Sequence, residues 1–265
     1  MPKARPETSE RDPLGRAIRL LTWMVDSPRS EWGVREIAAE LAFPPSSVHR
    51  LLALMERSNL VVRHEASGTY SLDLEFLRLT HRAASKLPLP PSAIDHLRHL
   101  VHEVDESATL GLYNHQRQMV LFHALIESSK PLRYIVELDR WAPITAGASG
   151  LAILAFLPEA DRARILSKPL EAFTKTTITN PIALEAELVR IREQGYALTH
   201  GQRQPGAVAV AAPIFGAHGQ VVGDTVLTIP EPRFDPADTD RFVEAVRACS
   251  RAISAELGAV EHSPA

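Results

Sequence analysis

The chain has 265 residues, 45% of them hydrophobic and 23% charged, the usage of an ordinary globular protein of about two domains and not of a disordered, collagen-like or disulfide-stapled one. Its single cysteine, Cys249, cannot close an intrachain disulfide, no run of about 18 apolar residues occurs, and the polar start MPKARPETSERDP has no apolar segment behind its basic residues. A soluble, unexported protein of the reducing cytoplasm is expected. The net charge of -3 divides unevenly: residues 1–87 carry 13 Lys+Arg against 11 Asp+Glu, whereas residues 88–265 carry 16 against 21. That slight asymmetry suits a nucleic-acid module placed ahead of something else.

In chain order, apolar residues recur first at helical spacing. Leu14, Ile18, Leu21 and Val25 form one stripe, Val34, Ile37, Ala38 and Leu41 a second, and Val48, Leu51, Leu52 and Met55 a third. Breaks at Asp26-Ser27-Pro28 and Ala42-Phe43-Pro44-Pro45 separate three short helices. Two β-rich runs follow, Leu60 to Arg63 and Thr69 to Leu72, around a Glu-Ala-Ser-Gly turn. Three helices and a hairpin predict a winged helix-turn-helix. Leu74 to Lys86 reads as one more helix with a narrow apolar edge, suited to joining domains or pairing with its own copy. The Pro-rich LPLPPS at 87–92 marks the junction. The expected domains are therefore 1–74, a linker helix over 75–90, and 91–260.

Beyond the prolines the pattern is mixed. A helix is expected near Ser92 to Val104, then strands at Thr109 to Tyr113, Met119 to Ala124 and Arg133 to Val136. Helices follow at Gly150 to Leu157, Glu159 to Leu166 and Ile182 to Gln194. Strands return at Ala197 to His200, Val208 to Phe215 and Val221 to Ile229, and Phe242, Val246, Cys249, Ile253 and Leu257 stripe a final helix. Grouped strands with helices at both ends predict an α+β domain around a mostly antiparallel sheet.

Off the apolar stripe of the third helix lie Ser46, Ser47, His49, Arg50 and Arg57. Small hydroxyls at a helix start, followed by basic residues, are what a major-groove reader presents to base edges and phosphates. Taken alone, such a face is an ordinary solvated one; the Pro-broken turn before it and the hairpin after it favour DNA. Arg63 and His64 stand where a wing would meet backbone phosphate. Enzyme signatures are poor. Gly147-Ala148-Ser149-Gly150 lacks the glycine that a nucleophile elbow needs at position 151, and no P-loop, dinucleotide fingerprint or HExxH occurs. His96, His99 and His102 recur at a spacing that drifts around a helix, which favours solvated histidines over a metal site. Cys249 falls on an apolar stripe and reads as a core residue. No catalytic residue, metal or cofactor is called for.

These residues resemble the IclR-type transcriptional regulators of bacteria over Leu14 to Leu257. The similarity lies in Arg16-Ala17-Ile18-Arg19-Leu20-Leu21, Val34-Arg35-Glu36-Ile37-Ala38 and Pro45-Ser46-Ser47-Val48-His49-Arg50-Leu51-Leu52. It continues in Ala148-Ser149-Gly150-Leu151-Ala152-Ile153-Leu154-Ala155, Arg192-Glu193-Gln194-Gly195-Tyr196-Ala197 and Gly206-Ala207-Val208-Ala209-Val210-Ala211-Ala212-Pro213-Ile214. The resemblance implies a GAF-like C-terminal domain that binds a small organic effector, and a linker helix that takes part in homodimerisation, with dimers often pairing into tetramers. It also implies double-stranded operator DNA as the partner. Carried over, the effector-lining positions are Ala148 and Ser149 at a helix start, Thr199, Ala207 and Ala209, and Val226 and Thr228 on another strand. Two departures stand out: Leu151 replaces a usual Lys, and Thr199-His200-Gly201-Gln202 replaces an acidic pair. Free N-H groups where Ser149-Gly150 open a helix, with the Ser149 hydroxyl, suit a carboxylate, and alanine-rich walls suit an aromatic or alkyl body. The alternative is an enzyme with a GAF-like catalytic domain and a helical appendage, and a third reading is a pure dimerisation or interaction module.

Overall fold

A computed structural model describes residues 12–84, 89–134 and 136–259, and the chain forms two units, Met1–Leu87 and Pro88–Ala265. In the first, Asp12 caps α1 (Pro13–Asp26) by accepting from the N-H groups of Leu14 and Gly15. α2 (Val34–Leu41) ends on Ala42 in the left-handed region, from which Phe43 N-H returns to Ala38 O at 3.0 Å. α3 (Pro45–Arg57) starts with proline at its first position, where the missing N-H costs nothing. The hairpin of β1 (Val61–Arg63) and β2 (Tyr70–Leu72) gains a neighbour: Trp32 exchanges two backbone hydrogen bonds with Tyr70, each 2.9 Å. Leu20, Met24, Trp32, Ile37, Val48, Leu52, Val61 and Tyr70 are buried together as this unit's core. α4 (Leu74–Ala84) follows; its expected continuation to Lys86 lies outside the described residues, and residues 89 and 90, included in the expected 75–90 linker helix, are not helical, since the prolines there cannot continue one.

The second unit is a six-stranded, wholly antiparallel sheet in the order β5-β4-β3-β8-β7-β6. Its strands are β3 (Ser107–Asn114), β4 (Met119–Ile126), β5 (Trp141–Pro143), β6 (Ala197–His200), β7 (Ala207–Phe215) and β8 (Val221–Pro230). The period of two sorts each strand between two cores. Val210, Ala212, Ile214, Leu227 and Ile229 meet α5 (Ala93–Val104) and α9 (Thr239–Glu256) on one face. Ala211, Val221 and Val226 meet α6 (Gly147–Leu154) and α8 (Pro181–Gln194) on the other, with α7 (Glu159–Leu166) beside them. This is the α+β, GAF-like architecture expected.

One expected strand is absent. Residues 133, 134 and 136 are not in a strand; the place beside β4 is taken by β5, whose Trp141 and Ala142 pair with Leu121 and Val120. Tyr134 instead donates its hydroxyl to Pro205 O at 2.9 Å, tying this segment to the loop before β7. α6 also begins three residues earlier than expected and ends at Leu154.

Candidate functional site

On α3 the buried stripe of Val48, Leu51, Leu52 and Met55 fixes which side faces outward. Ser46, His49, Arg50 and Arg57 are exposed and Ser47 half-buried. Neither the His49 nor the Arg50 side chain makes a hydrogen bond or ion pair with any described residue, whereas Arg57 Nε bonds its own helix at Ala53 O, 3.4 Å. On the hairpin Arg63 is exposed, but His64 is half-buried and hydrogen-bonded through Nε2 to Ser71 Oγ at 2.9 Å, with Glu31 3.9 Å away. His64 is thus part of the hairpin's own structure. Sequence reading overlooked Arg16 and Arg19, whose guanidiniums lie 5.7 and 4.8 Å from the Phe43 ring in the turn before α3. Such stacking holds two cations beside the helix start.

The second unit holds a cavity of about 410 Å³ between α6 and the sheet, and all seven positions named for an effector line it: Ala148, Ser149, Thr199, Ala207, Ala209, Val226 and Thr228. Their small side chains are why it exists, since the sheet face beneath α6 is not filled where Ala and Thr replace larger residues. Phe122 and Trp141 add aromatic wall. Gly147 turns into α6 with φ of +77°, and a side chain at Gly150 would strike the backbone of Ile144, at 2.7 Å, so both glycines bring the helix start close to the sheet. Ala146 provides no side-chain cap, which leaves first-turn N-H groups for other acceptors.

The charge in this cavity comes from a residue the sequence reading missed. Arg203 lies in the loop before β7, with its stem against Gly147, its guanidinium 5.3 Å from the Phe173 ring, and Nη1 3.4 Å from Pro143 O. It forms no salt bridge among the described residues, and burial pulls its pKa down, opposed in part by the charge of Glu171. Its only signal in sequence was a lone cation in a glycine-flanked loop. Arg140, also lining the cavity, is paired with Glu137 at 3.0 Å. The Ser149 hydroxyl is buried without a good hydrogen bond. Behind it lies Asp224, fully buried, whose carboxyl is pushed up to about 7 by burial while the Ser149 hydroxyl acts in the opposite direction.

His96 bonds Glu256 at 2.7 Å, and no group of three metal-binding side chains stands together among the described residues. Cys249 is buried and burial pushes its thiol up to about 12, where it is inert as a nucleophile. Among the described residues no helix is long and apolar enough to cross a membrane.

Two family models match the chain: the IclR helix-turn-helix domain over residues 13–65 and the bacterial transcriptional regulator IclR C-terminal domain over residues 81–255. The HTH-type transcriptional regulator BhcR of Paracoccus denitrificans (strain Pd 1222) is 30% identical over 242 residues, 91% of this chain and 85% of that protein. An IclR transcriptional regulator from Alicyclobacillus acidocaldarius superposes with a TM-score of 0.80 at 26% identity, covering 93% of this chain and 98% of the other. An IclR homologue from Microbacterium hydrocarbonoxydans, crystallised with 4-hydroxybenzoate, has a TM-score of 0.80 at 25% identity, covering 93% and 99%.

Proposed function

Because the chain belongs to the IclR family of bacterial transcriptional regulators, we propose that it is a ligand-responsive winged-helix regulator and not an enzyme. It reads operator DNA with α3 and modulates that binding through a small organic carboxylate held in the cavity. Ser46, Ser47, His49 and Arg50 approach the major groove, and Arg63 meets phosphate from the hairpin, which serves as the wing. The protein acts in the cytoplasm as a homodimer through α4, whose Leu74 and Leu77 are 79% and 62% exposed and offer an apolar edge to a second copy. Pairing of such dimers would give a tetramer.

The observation that carries the reading is Arg203: a half-buried cation in no salt bridge among the described residues, set against the start of α6 in a cavity that also holds the Arg140–Glu137 pair and an apolar wall of alanine, valine, Phe122 and Trp141. An aromatic or alkyl acid satisfies both features, with its carboxylate toward Arg203 and the α6 N-H groups and its body against the apolar wall. The 4-hydroxybenzoate complex of the Microbacterium relative supports an aromatic acid as the first to test. Occupancy alters DNA binding only through different affinity for two arrangements of the protein.

A thermal-shift screen of small aromatic and alkyl acids, followed by calorimetry on wild type and Ser149→Trp, tests the cavity. Footprinting tests the DNA face: Arg50→Ala should cost the ~1 to 3 kcal/mol of a base contact, and Arg63→Ala should weaken all sequences alike. A bulky variant that binds the acid as well as wild type, or two arginine variants with unchanged footprints, would sink the proposal.

A further inference from the structure

Two carboxylates are buried almost completely among the described residues, and they are held in opposite ways. Glu106, 2% exposed, is clamped by Arg233, with Nε at 2.8 Å, and by Lys130 Nζ at 2.9 Å. Asp224 has no cation, and neither of its oxygens makes a good hydrogen bond. An uncompensated buried carboxylate is costly, yet the fold makes room for this one. Opposite it on β3 stands Gly111, where any Cβ would overlap Asp224 Oδ1 and approach Val120 Cγ2 to 2.8 Å. The polar group that reaches it is the Ser149 hydroxyl, itself buried and lining the cavity. Two orphaned polar side chains therefore sit back to back, one of them facing the ligand space.

We propose that Asp224 is a positioning residue that decides whether Ser149 presents a donor or an acceptor to the cavity, and so which group a ligand must offer there. With the carboxyl protonated, its O-H donates to Ser149 Oγ, and the serine O-H is free to donate to a ligand oxygen. With the carboxylate ionised, Ser149 donates to Asp224 and only its lone pairs face the cavity, which suits a ligand hydroxyl or amine. A carboxylate ligand is then bound together with the proton on Asp224. Since burial sets that carboxyl at about 7, both forms are accessible near neutral pH. The inference rests on the acid-binding reading of the cavity.

The elements packed around Asp224 contribute few other titrating groups. α6, GASGLAIL, and β7, AVAVAAPIF, contain none. β3 adds Tyr113, which burial pushes up to about 12 and which stays neutral. β4 adds His123, the unpaired residue at the register shift opposite Leu110 and Gly111. Arg203, Arg140 and Glu137 line the cavity but do not contribute to the Asp224 shift.

The test is calorimetric titration of the full-length protein with benzoate from pH 6 to 8.5, a range in which benzoate itself stays ionised. Wild-type affinity should fall by up to tenfold per pH step above about 7. Asp224→Asn, whose amide always donates to Ser149 Oγ, should bind at all pH values as wild type does at low pH. Ser149→Ala should bind more weakly with a flat profile, and it removes no buried carboxyl, so it keeps the test open if the amide variant misfolds. His123→Gln should keep the wild-type slope. A flat wild-type profile, a slope that survives in Asp224→Asn or Ser149→Ala, or one that vanishes in His123→Gln overturns the inference. Wild type that binds no benzoate at any pH overturns instead the acid-site reading, and this inference with it.

Discussion

Replacing Asp224 with asparagine isolates the energetic cost of the buried carboxyl. In the unfolded chain the group titrates near 3.8, and in the native protein burial raises it to about 7. Between those values the unfolded state has released its proton while the native state still holds it. Stability therefore falls as pH rises through the window and levels off above about 7. At roughly 1.36 kcal/mol per tenfold change in proton affinity, the loss from near pH 4 to near pH 8 is about 4 kcal/mol. Carboxylates held below their usual range, such as Asp105 by the Ser129 backbone and hydroxyl and Glu256 by Ser92 and His96, act with the opposite sign, losing stability as pH falls. Subtracting the variant's curve from that of wild type cancels them. Asp224→Asn should match wild type near pH 4 and exceed it by about 4 kcal/mol near pH 8. Urea unfolding, read by hydrogen exchange in β3 and β8 peptides, keeps the first unit from contributing. A wild-type-to-variant difference that stays constant across the range, or grows toward acid, refutes the argument.

Gly147→Ala should cost about 1 to 2 kcal/mol, because φ is +77° there, and should also weaken benzoate binding by setting a methyl 3.0 Å from Arg203 Cβ; an unchanged melting temperature and affinity contradict this. Arg203→Ala should lose on the order of 1.5 to 3 kcal/mol of affinity for benzoate while leaving benzyl alcohol little affected, and equal losses for the two ligands would remove Arg203 as the anion's partner. Leu77→Glu on the exposed edge of α4 should shift the mass seen by light scattering toward a monomer, and a mass identical to wild type argues that the protein pairs elsewhere.

Elements whose ends are punctuated were legible in the sequence. α7 and β6 occupy the expected Glu159–Leu166 and Ala197–His200, the first entered through Pro158 and the second following Gly195 in the left-handed region. Elements fixed by their neighbours were not. Trp141-Ala142-Pro143 has neither alternation nor length, and it becomes a strand only because β4 offers it an edge; Arg133 to Val136 has the better strand composition but is held by Tyr134 to Pro205. Gly147 concealed the start of α6, since glycine is a weak helix former and its merit here is a left-handed φ and close approach to Arg203.

The cavity divides along the same line. Its seven expected positions are small residues in blocks of family-like sequence, and they come together because the two-residue period of β7 and β8 sends Ala207, Ala209, Val226 and Thr228 to one face. Asp224 was legible only in retrospect, as a charge in the apolar alternation VVGDTVLTI, and its meaning required the partner strand: register places it opposite Gly111, 113 residues away in sequence. A glycine inside a strand reserves space for something that approaches closely, and here that something is a carboxyl. Neither residue alone predicts the pair. If the space were merely tolerated, Gly111→Ala with Asp224→Ala should recover part of the stability that Gly111→Ala alone loses, the Val120 contact remaining; if the carboxyl also serves Ser149, the double variant should recover as much and show a flat pH profile for benzoate. Recovered stability together with a wild-type pH slope would separate the packing from the proton and leave Asp224 a structural residue only.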